Sequence, residues 1–298
     1  MPITVLDAPS NLGLRMPAPG VVPGCYKLPW ALRDRGLLRR LAATDAGAVV
    51  PGRYDVSGWT PGDGVFNAAA LADLTARLAD RVEDLTARDT LLVLGGDCGN
   101  AVGVMLGLRR RGRYGLVYVD AHTDHRHAGN SADVGALGGE ALAAVTGRAQ
   151  PEIADIRGLG PYVRADDVAV LGLHEPDDPD LPEVKAAYPL ALTVAELRER
   201  GVRASAEATL AAVLRDGVDG LWVHLDADVL DTSVMPAVDS PEPGGLLPDE
   251  LIDLLSTLVS HPRTVGMDVA IYDPDLDPGG TAADVLTDVV VTALSPRR

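Results

Sequence analysis

Six short runs of Leu, Val and Ile alternate along the chain with segments in which apolar residues recur at helical spacing. The runs cover residues 3–6, 91–94, 116–120, 168–173, 221–226 and 265–271, and the helical segments lie near residues 67–88, 100–111, 139–147, 204–215, 248–260 and 281–294. Strands that are apolar on both faces are typical of parallel sheets covered by helices. The sequence therefore predicts an α/β fold of three layers, a parallel sheet with helices on both faces.

One domain is expected over residues 1–298, because no linker, internal repeat or low-complexity tract interrupts this alternation. Hydrophobic residues make up 47% of the chain, which is enough for a sizeable core. The formal net charge of −17 argues against a nucleic-acid or anionic-membrane partner, since both require a basic surface. Two cysteines, no secretory signal and no spanning segment predict a cytoplasmic protein.

Acidic residues and a histidine follow two of the predicted strands. Asp120, His122 and Asp124 alternate after one strand, and Asp226 and Asp228 follow another about a hundred residues later. Alternate residues of an extended segment lie on one side of it, and ligands of such sheets gather at the carboxyl ends of strands. Carboxylates with imidazole suit Mn²⁺, Mg²⁺, Zn²⁺ or Fe²⁺, and a bridging carboxylate can hold two ions that jointly activate one water. An isolated Asp-x-Asp is more often part of a turn than a metal ligand. The prediction of a metal site therefore depends on finding acidic motifs at more than one strand end.

A third strand end carries Gly-Gly-Asp-Cys at residues 95–98. With Asp-Ala-His-Thr-Asp at 120–124, Asp-Ala-Asp at 226–228 and a Pro-rich loop that ends in Gly-Gly-Leu at 244–246, it resembles the arginase/agmatinase (ureohydrolase) family. The order and spacing of these motifs match the family over most of the chain. The resemblance is strongest in the metal-binding segments.

The resemblance implies two divalent ions, with Mn²⁺ the first expectation, and a small-molecule substrate. One ion would be held by Cys98, Asp120, Asp124 and Asp226, and the other by Asp120, His122, Asp226 and Asp228. Asp124 would also orient the attacking water. Asp97 and Asp231 are expected to support turns around these ligands. The family also implies a homo-oligomer, a trimer or a hexamer.

Cys98 departs from the family pattern, which has histidine at this position. A thiolate is a softer ligand and shifts metal preference from Mn²⁺ toward Zn²⁺ or Fe²⁺. The alternative is a small buried cysteine that binds no metal.

The proton-shuttling histidine of arginases is also missing, because Gly138 stands in the best-matching register. His125 and His127 lie close by, but strand alternation would point them away from the ligands. Both are therefore expected to be surface or supporting residues.

The positions at which the family binds its substrate also differ from the family pattern. Ile271 stands where the family has the glutamate that pairs with the guanidinium, so ordinary arginase activity is doubtful. The loop around Asp177 resembles the segment whose acidic residue contacts the substrate's α-amino group. Asp177 is thus a candidate substrate contact, with an acidic turn beside Pro176 and Pro179 as the alternative.

Three functions remain open. The first is a dinuclear hydrolase of a non-peptide C–N bond in a guanidino or amidino compound other than plain arginine, for example N-hydroxyarginine, or in a linear amide. The second is a mononuclear zinc amidohydrolase like the histone deacetylases, which share the arginase-type fold. The third is a catalytically silent binding or structural relative. Metal stoichiometry and a screen for urea or ammonia release discriminate among them.

Overall fold

The computed structural model describes residues 2–174 and 178–295, so Asp177 lies outside the described residues. Within them, eight strands form one sheet in which every adjacent pair is parallel. The strands are β1 Ile3–Asp7, β2 Thr44–Ala48, β3 Thr90–Leu94, β4 Tyr114–Val119, β5 Val168–Leu173, β6 Leu190–Thr193, β7 Gly220–Asp226 and β8 Thr264–Ala270. Their spatial order is β2-β1-β3-β8-β7-β4-β5-β6.

The two strands at the edges of the sheet were not predicted from the sequence. β2 has the sequence TDAGA and is largely exposed, and β6 is four residues long. Edge strands need to be apolar on fewer sides than central ones, so neither stands out as a continuous apolar run. The six predicted strands are the six inner ones, and the predicted parallel arrangement is confirmed.

Helices cover the sheet. In the described residues the α-helices are α1 Leu28–Asp34, α2 Leu37–Leu41, α3 Ala68–Leu85, α4 Asn100–Arg111, α5 Ala141–Val145, α6 Pro151–Ala154, α7 Leu181–Ala187, α8 Val194–Arg200, α9 Val202–Val213, α10 Pro248–Val259 and α11 Thr281–Leu294. Helix α3 packs against α4, and α10 packs against both α9 and α11. None of the helices in the described residues combines the length and the hydrophobicity of a membrane-spanning segment.

The close packing of α3 on α4 depends on glycine. A Cβ atom at Gly107 would lie 2.7 Å from the carbonyl oxygen of Ala79, and one at Gly103 would lie 3.0 Å from Leu78. Leu71, Leu74 and Leu78 on the inner face of α3 are buried, and Leu85 near its end is half-buried. Small residues on α4 thus let the apolar stripe of α3 approach its backbone.

The four central strands, β3, β8, β7 and β4, bring distant parts of the sequence to one edge of the sheet. Because they are parallel, the segments that follow them emerge side by side. Cys98 follows β3, Ile271 follows β8, Asp226 ends β7 and Asp120 follows β4. The topology therefore assembles a site from four strand ends.

Candidate metal centre

Two groups of side chains with metal-binding atoms lie next to each other at this edge. The first comprises Cys98, Asp120, His224 and Asp226, and the second comprises Asp120, His122 and Asp228. Within each group the ligand atoms all lie within 4.8 Å of one another. Asp120 belongs to both groups, so a shared carboxylate joins them. Five of the six predicted ligands are members of these groups.

The second group is built on the turn after β4. The Nδ1 atom of His122 lies 2.9 Å from Asp228 Oδ2 and 3.7 Å from Asp120 Oδ1. The backbone N–H of His122 donates to Asp120 Oδ1 at 2.7 Å, and that of Ala121 donates to Asp228 Oδ1 at 3.3 Å. These bonds fix the carboxylates against the turn, as a preformed site requires.

The first group joins the segment after β3 to the end of β7. The thiol of Cys98 donates to Asp226 Oδ2 at 2.9 Å, and Asp226 Oδ1 accepts from the backbone N–H of Asp228 at 2.8 Å. Cys98 is 1% exposed and Asp226 is 2% exposed. Position 98 therefore faces the carboxylates directly, which supports a ligand role over that of a remote core residue.

The two groups place several carboxylates close together in a buried site, where their negative charges are unfavourable without cations. Burial, reinforced by the charge of Asp228, raises the pKa of Asp120 to about 7. Burial and the charges of Asp228 and Asp120 also raise the pKa of Asp226. Burial alone would lower the pKa of His122, but its contacts with Asp120 and Asp228 outweigh that effect and raise it. The second oxygen of Asp120 is buried without a hydrogen-bond partner among the described residues. Divalent ions would satisfy these oxygens and offset their charge, so the donor set fits the two expected ions.

Asp124, the sixth predicted ligand, occupies a different position. Its backbone has a positive φ of 44°, so the chain turns there rather than continuing as a strand. Its Oδ2 atom accepts from the hydroxyl of Tyr118 at 2.6 Å, and its carboxylate belongs to neither group. Asp124 does line a cavity that Cys98, His122, Asp226 and Asp228 also line.

His125 and His127 do not line that cavity. β4 ends at Val119, so the extended geometry behind the parity argument does not persist. The ring of His125 is fully buried against Tyr188, and His127 Nε2 lies 3.3 Å from Glu183 Oε1. Both lie outside the two ligand groups, in a separate cluster with Glu183.

The turn roles predicted for Asp97 and Asp231 are confirmed. Asp97 is fully buried and accepts hydrogen bonds from Ser10 Oγ and from the backbone N–H groups of residues 13 and 99. Asp231 accepts from the backbone N–H groups of Ser233 and Gly244, which closes the Pro-rich loop. Asp97 thus fixes the turn next to Cys98, and Asp231 fixes the loop that carries Asp239.

A cavity of about 320 Å³ lies over the two groups. Its lining includes Gly138, Ile271 and Asp239 together with Cys98, His122, Asp124, Asp226 and Asp228. Ile271 has φ 72°, a strained conformation for a β-branched residue, and its N–H donates to Gly96 O at 2.6 Å. An apolar side chain is thus held at the cavity wall, at the position where the family resemblance implies a glutamate.

Comparison with known proteins decides the family. A family model described as "Arginase family" matches residues 22–295. The chain belongs to the arginase family. It is 30% identical to the arginase of Agrobacterium fabrum, over 98% of this chain and 90% of that protein. The solved arginase of Bacillus caldovelox is 26% identical, with 99% of each chain covered and a TM-score of 0.88.

Family membership confirms the resemblance and the three-layer fold, and it makes this arginase-family chain a hydrolase of C–N bonds other than peptide bonds. The fold is shared more widely. Formimidoylglutamase from Bacillus subtilis is 19% identical, with 98% of this chain and 85% of that one covered and a TM-score of 0.76.

Three polar residues at the site were not assigned from the sequence. His224 lies two residues before Asp226 on β7, so alternation along the strand could have placed both on one face. Tyr118, on β4, has the same relation to Asp120. Asp239 lies in the Pro-rich loop, and its position depends on the path of that loop, for which the sequence has no periodic signal.

Proposed function

We propose that this protein is a dinuclear-metal hydrolase that cleaves a C–N bond in a guanidino or amidino small molecule. The observation that carries the proposal is the pair of ligand groups that share Asp120 beneath a cavity of substrate size. When bound there, two divalent ions supply Lewis acidity and lower the pKa of a water.

The chain's own residues divide the remaining work. His122, Asp120 and Asp228 would hold one ion, and Cys98, Asp120 and Asp226 would hold the other, with Asp226 expected from the family resemblance to serve both. Tyr118 fixes one oxygen of Asp124, which leaves its other oxygen to orient the attacking water and accept its proton. Protonation of the leaving group falls to solvent or to the substrate, because Gly138 offers no proton.

The donor types indicate which metals each position prefers. The second group contains oxygen and nitrogen donors that suit Mn²⁺, whereas the thiol of Cys98 in the first group favours Zn²⁺ or Fe²⁺. We therefore expect the two positions to differ in metal preference.

The substrate is proposed to differ from arginine in how its nitrogen-bearing end is held. Ile271 cannot pair with a guanidinium, but Asp239 reaches the same cavity from the loop after β7. Its carboxylate contacts the Ser240 hydroxyl at 3.4 Å, and no lysine or arginine in the described part of the chain lies within ion-pairing distance of it. Asp239 would therefore receive the positive end of a substrate such as a modified guanidine, of which N-hydroxyarginine is one example.

A mononuclear amidohydrolase is the second candidate. The group of Asp120, His122 and Asp228 is a complete Asp-His-Asp set by itself, and Asp124 is engaged by Tyr118. The first group contains buried ligand atoms without hydrogen-bond partners, Asp120 Oδ2 and His224 Nε2, and therefore favours a site with two ions.

The experiment is a screen of urea and ammonia release by the protein reconstituted with Mn²⁺ or Zn²⁺. We expect urea from at least one substituted guanidine and poor turnover of arginine, with Ile271→Glu improving arginine turnover relative to Ile271→Gln. Release of acetate from an acylated amine by a one-zinc protein would favour the second candidate. A fully loaded protein inactive on all of these substrates would point to a silent relative.

A further inference from the structure

We propose that His224 is a metal ligand of the first group and supplies the imidazole that the family has at the position of Cys98. The inference rests on the proposed metal centre and assigns a donor to it. It also predicts which metals that position prefers.

His224 is placed where a ligand is needed. It shares one face of β7 with Asp226, and a ring nitrogen lies within 4.8 Å of ligand atoms of Cys98, Asp120 and Asp226. The residue is 0% exposed, and its Nε2 atom has no hydrogen-bond partner among the described residues. A buried ring nitrogen without a partner is costly, so a ligand is the physical reason for keeping it.

The other nitrogen of His224 is already committed. Nδ1 lies 2.6 Å from Oδ2 of Asp268, and the indole of Trp222 donates to the other oxygen of that carboxylate. A carboxylate at Nδ1 keeps the proton there and leaves the lone pair on Nε2, which is the arrangement found behind metal-binding histidines. The ring also stacks on Tyr118 at 4.2 Å between centroids, which fixes its plane.

Cys98 and His224 are complementary in size. A cysteine side chain is shorter than a histidine, so it leaves room for an imidazole that enters from β7. The resulting set of sulfur, nitrogen and oxygen donors favours Zn²⁺, Fe²⁺ or Co²⁺ over Mn²⁺. In this chain the imidazole donor therefore comes from β7, whereas the family has it in the segment after β3.

The test is metal binding, which needs no turnover. Metal-free protein is titrated with Zn²⁺ against a chromophoric chelator and, separately, with Co²⁺ while its absorption is recorded. We expect His224→Gln to weaken one of two sites by at least about 10-fold and to change the Co²⁺ spectrum. His261→Gln is the control, because His261 precedes β8 at the opposite edge of the sheet and belongs to no group of possible metal ligands among the described residues. It should leave both readouts unchanged.

Two further variants keep the test decisive if His224→Gln folds poorly. Asp268→Asn should weaken the same site by about 10- to 100-fold. The double variant Cys98→His with His224→Gln should regain an imidazole, and with it a two-ion stoichiometry and a shift toward Mn²⁺. Unchanged Zn²⁺ affinity and an unchanged Co²⁺ spectrum in both His224→Gln and Asp268→Asn would overturn the inference. Urea release by such a protein would leave the proposed function standing, whereas a protein inactive on all guanidines could still confirm His224.

Discussion

At the scale of single residues, the metal centre depends on Asp120, whose carboxylate belongs to both ligand groups. Asp120, His122, Asp226 and Asp228 could be read from alternation after apolar runs, and they do lie together. Asp124 could not be placed, because β4 ends at Val119 and the backbone turns with a positive φ at Asp124, so strand alternation does not reach it. His224 was overlooked because an alternating histidine inside a strand is usually part of the core.

Cys98→His tests the thiol at this scale. If Cys98 is a ligand, histidine should tighten Mn²⁺ binding relative to Zn²⁺ and remove one negative charge from the centre. The pKa of the activated water would fall, because a less negative centre holds a proton less tightly. The acidic limb of the pH–rate profile should then move to lower pH. Unchanged metal preference with a clear loss of melting temperature would instead identify Cys98 as core packing.

Asp239→Asn tests the substrate-binding carboxylate. Removing its charge should raise KM for the active guanidine by about 10-fold or more with a smaller effect on kcat, because a hydrogen bond to a charged group contributes about 1.5–3 kcal/mol. Glu242→Gln is the matched control, since it removes a charge from the same loop without lining the cavity. Equal KM values for the two variants would show that Asp239 does not receive the substrate.

At the scale of elements, the strands and helices with many buried residues were the ones that could be predicted from the sequence. The six inner strands, the five longest helices and the buried short helix α5 were predicted, because each carries enough apolar residues to form a pattern. The edge strands β2 and β6 and the short helices α1, α2 and α6–α8 carry too few buried residues to form a pattern. Their positions depend on tertiary contacts.

The contact of α3 with α4 is tested by Gly107→Ala. The added methyl would meet the Ala79 carbonyl oxygen at 2.7 Å, so the helices must separate. We expect a loss of about 1–3 kcal/mol in the free energy of unfolding despite the better helix propensity of alanine. Chemical denaturation measures this loss, and the metal content of the folded fraction should be unaffected. An equal or higher stability would show that the helices can adjust.

At the scale of the whole molecule, stability depends on carboxylates outside the metal centre as well. Glu140 is 1% exposed, and burial raises its pKa to about 7, although Gly135 donates to it at 2.6 Å. A raised acid pKa means that the folded state holds the proton more tightly than the unfolded state. Stability from this residue is therefore present below about pH 4.5 and is lost as pH rises toward 7.

Glu140→Gln should remove that dependence. The variant keeps an acceptor for Gly135 but no longer ionises, so its unfolding free energy should decline less between about pH 4.5 and 7. The difference is on the order of 1–3 kcal/mol. Denaturation of both proteins across this pH range measures it. Parallel curves would show that Glu140 has an ordinary pKa.

Assembly and location stay predictions at this scale. The trimer or hexamer and the cytoplasmic location were expected from the family resemblance and from composition. Apolar side chains exposed near the amino terminus, such as Trp30 and Val21, are places to look for a subunit contact.

The central claim is that one carboxylate, Asp120, serves two ions at once. The measurement is the metal content per chain, by elemental analysis after reconstitution and removal of free metal, of the native protein and of Asp120→Ala and His122→Ala. Asp249→Ala, an exposed change on α10, is the control. We predict two ions in the native protein and the control, one in His122→Ala and none retained stoichiometrically in Asp120→Ala. One ion in the native protein, or two in Asp120→Ala, would contradict the shared centre.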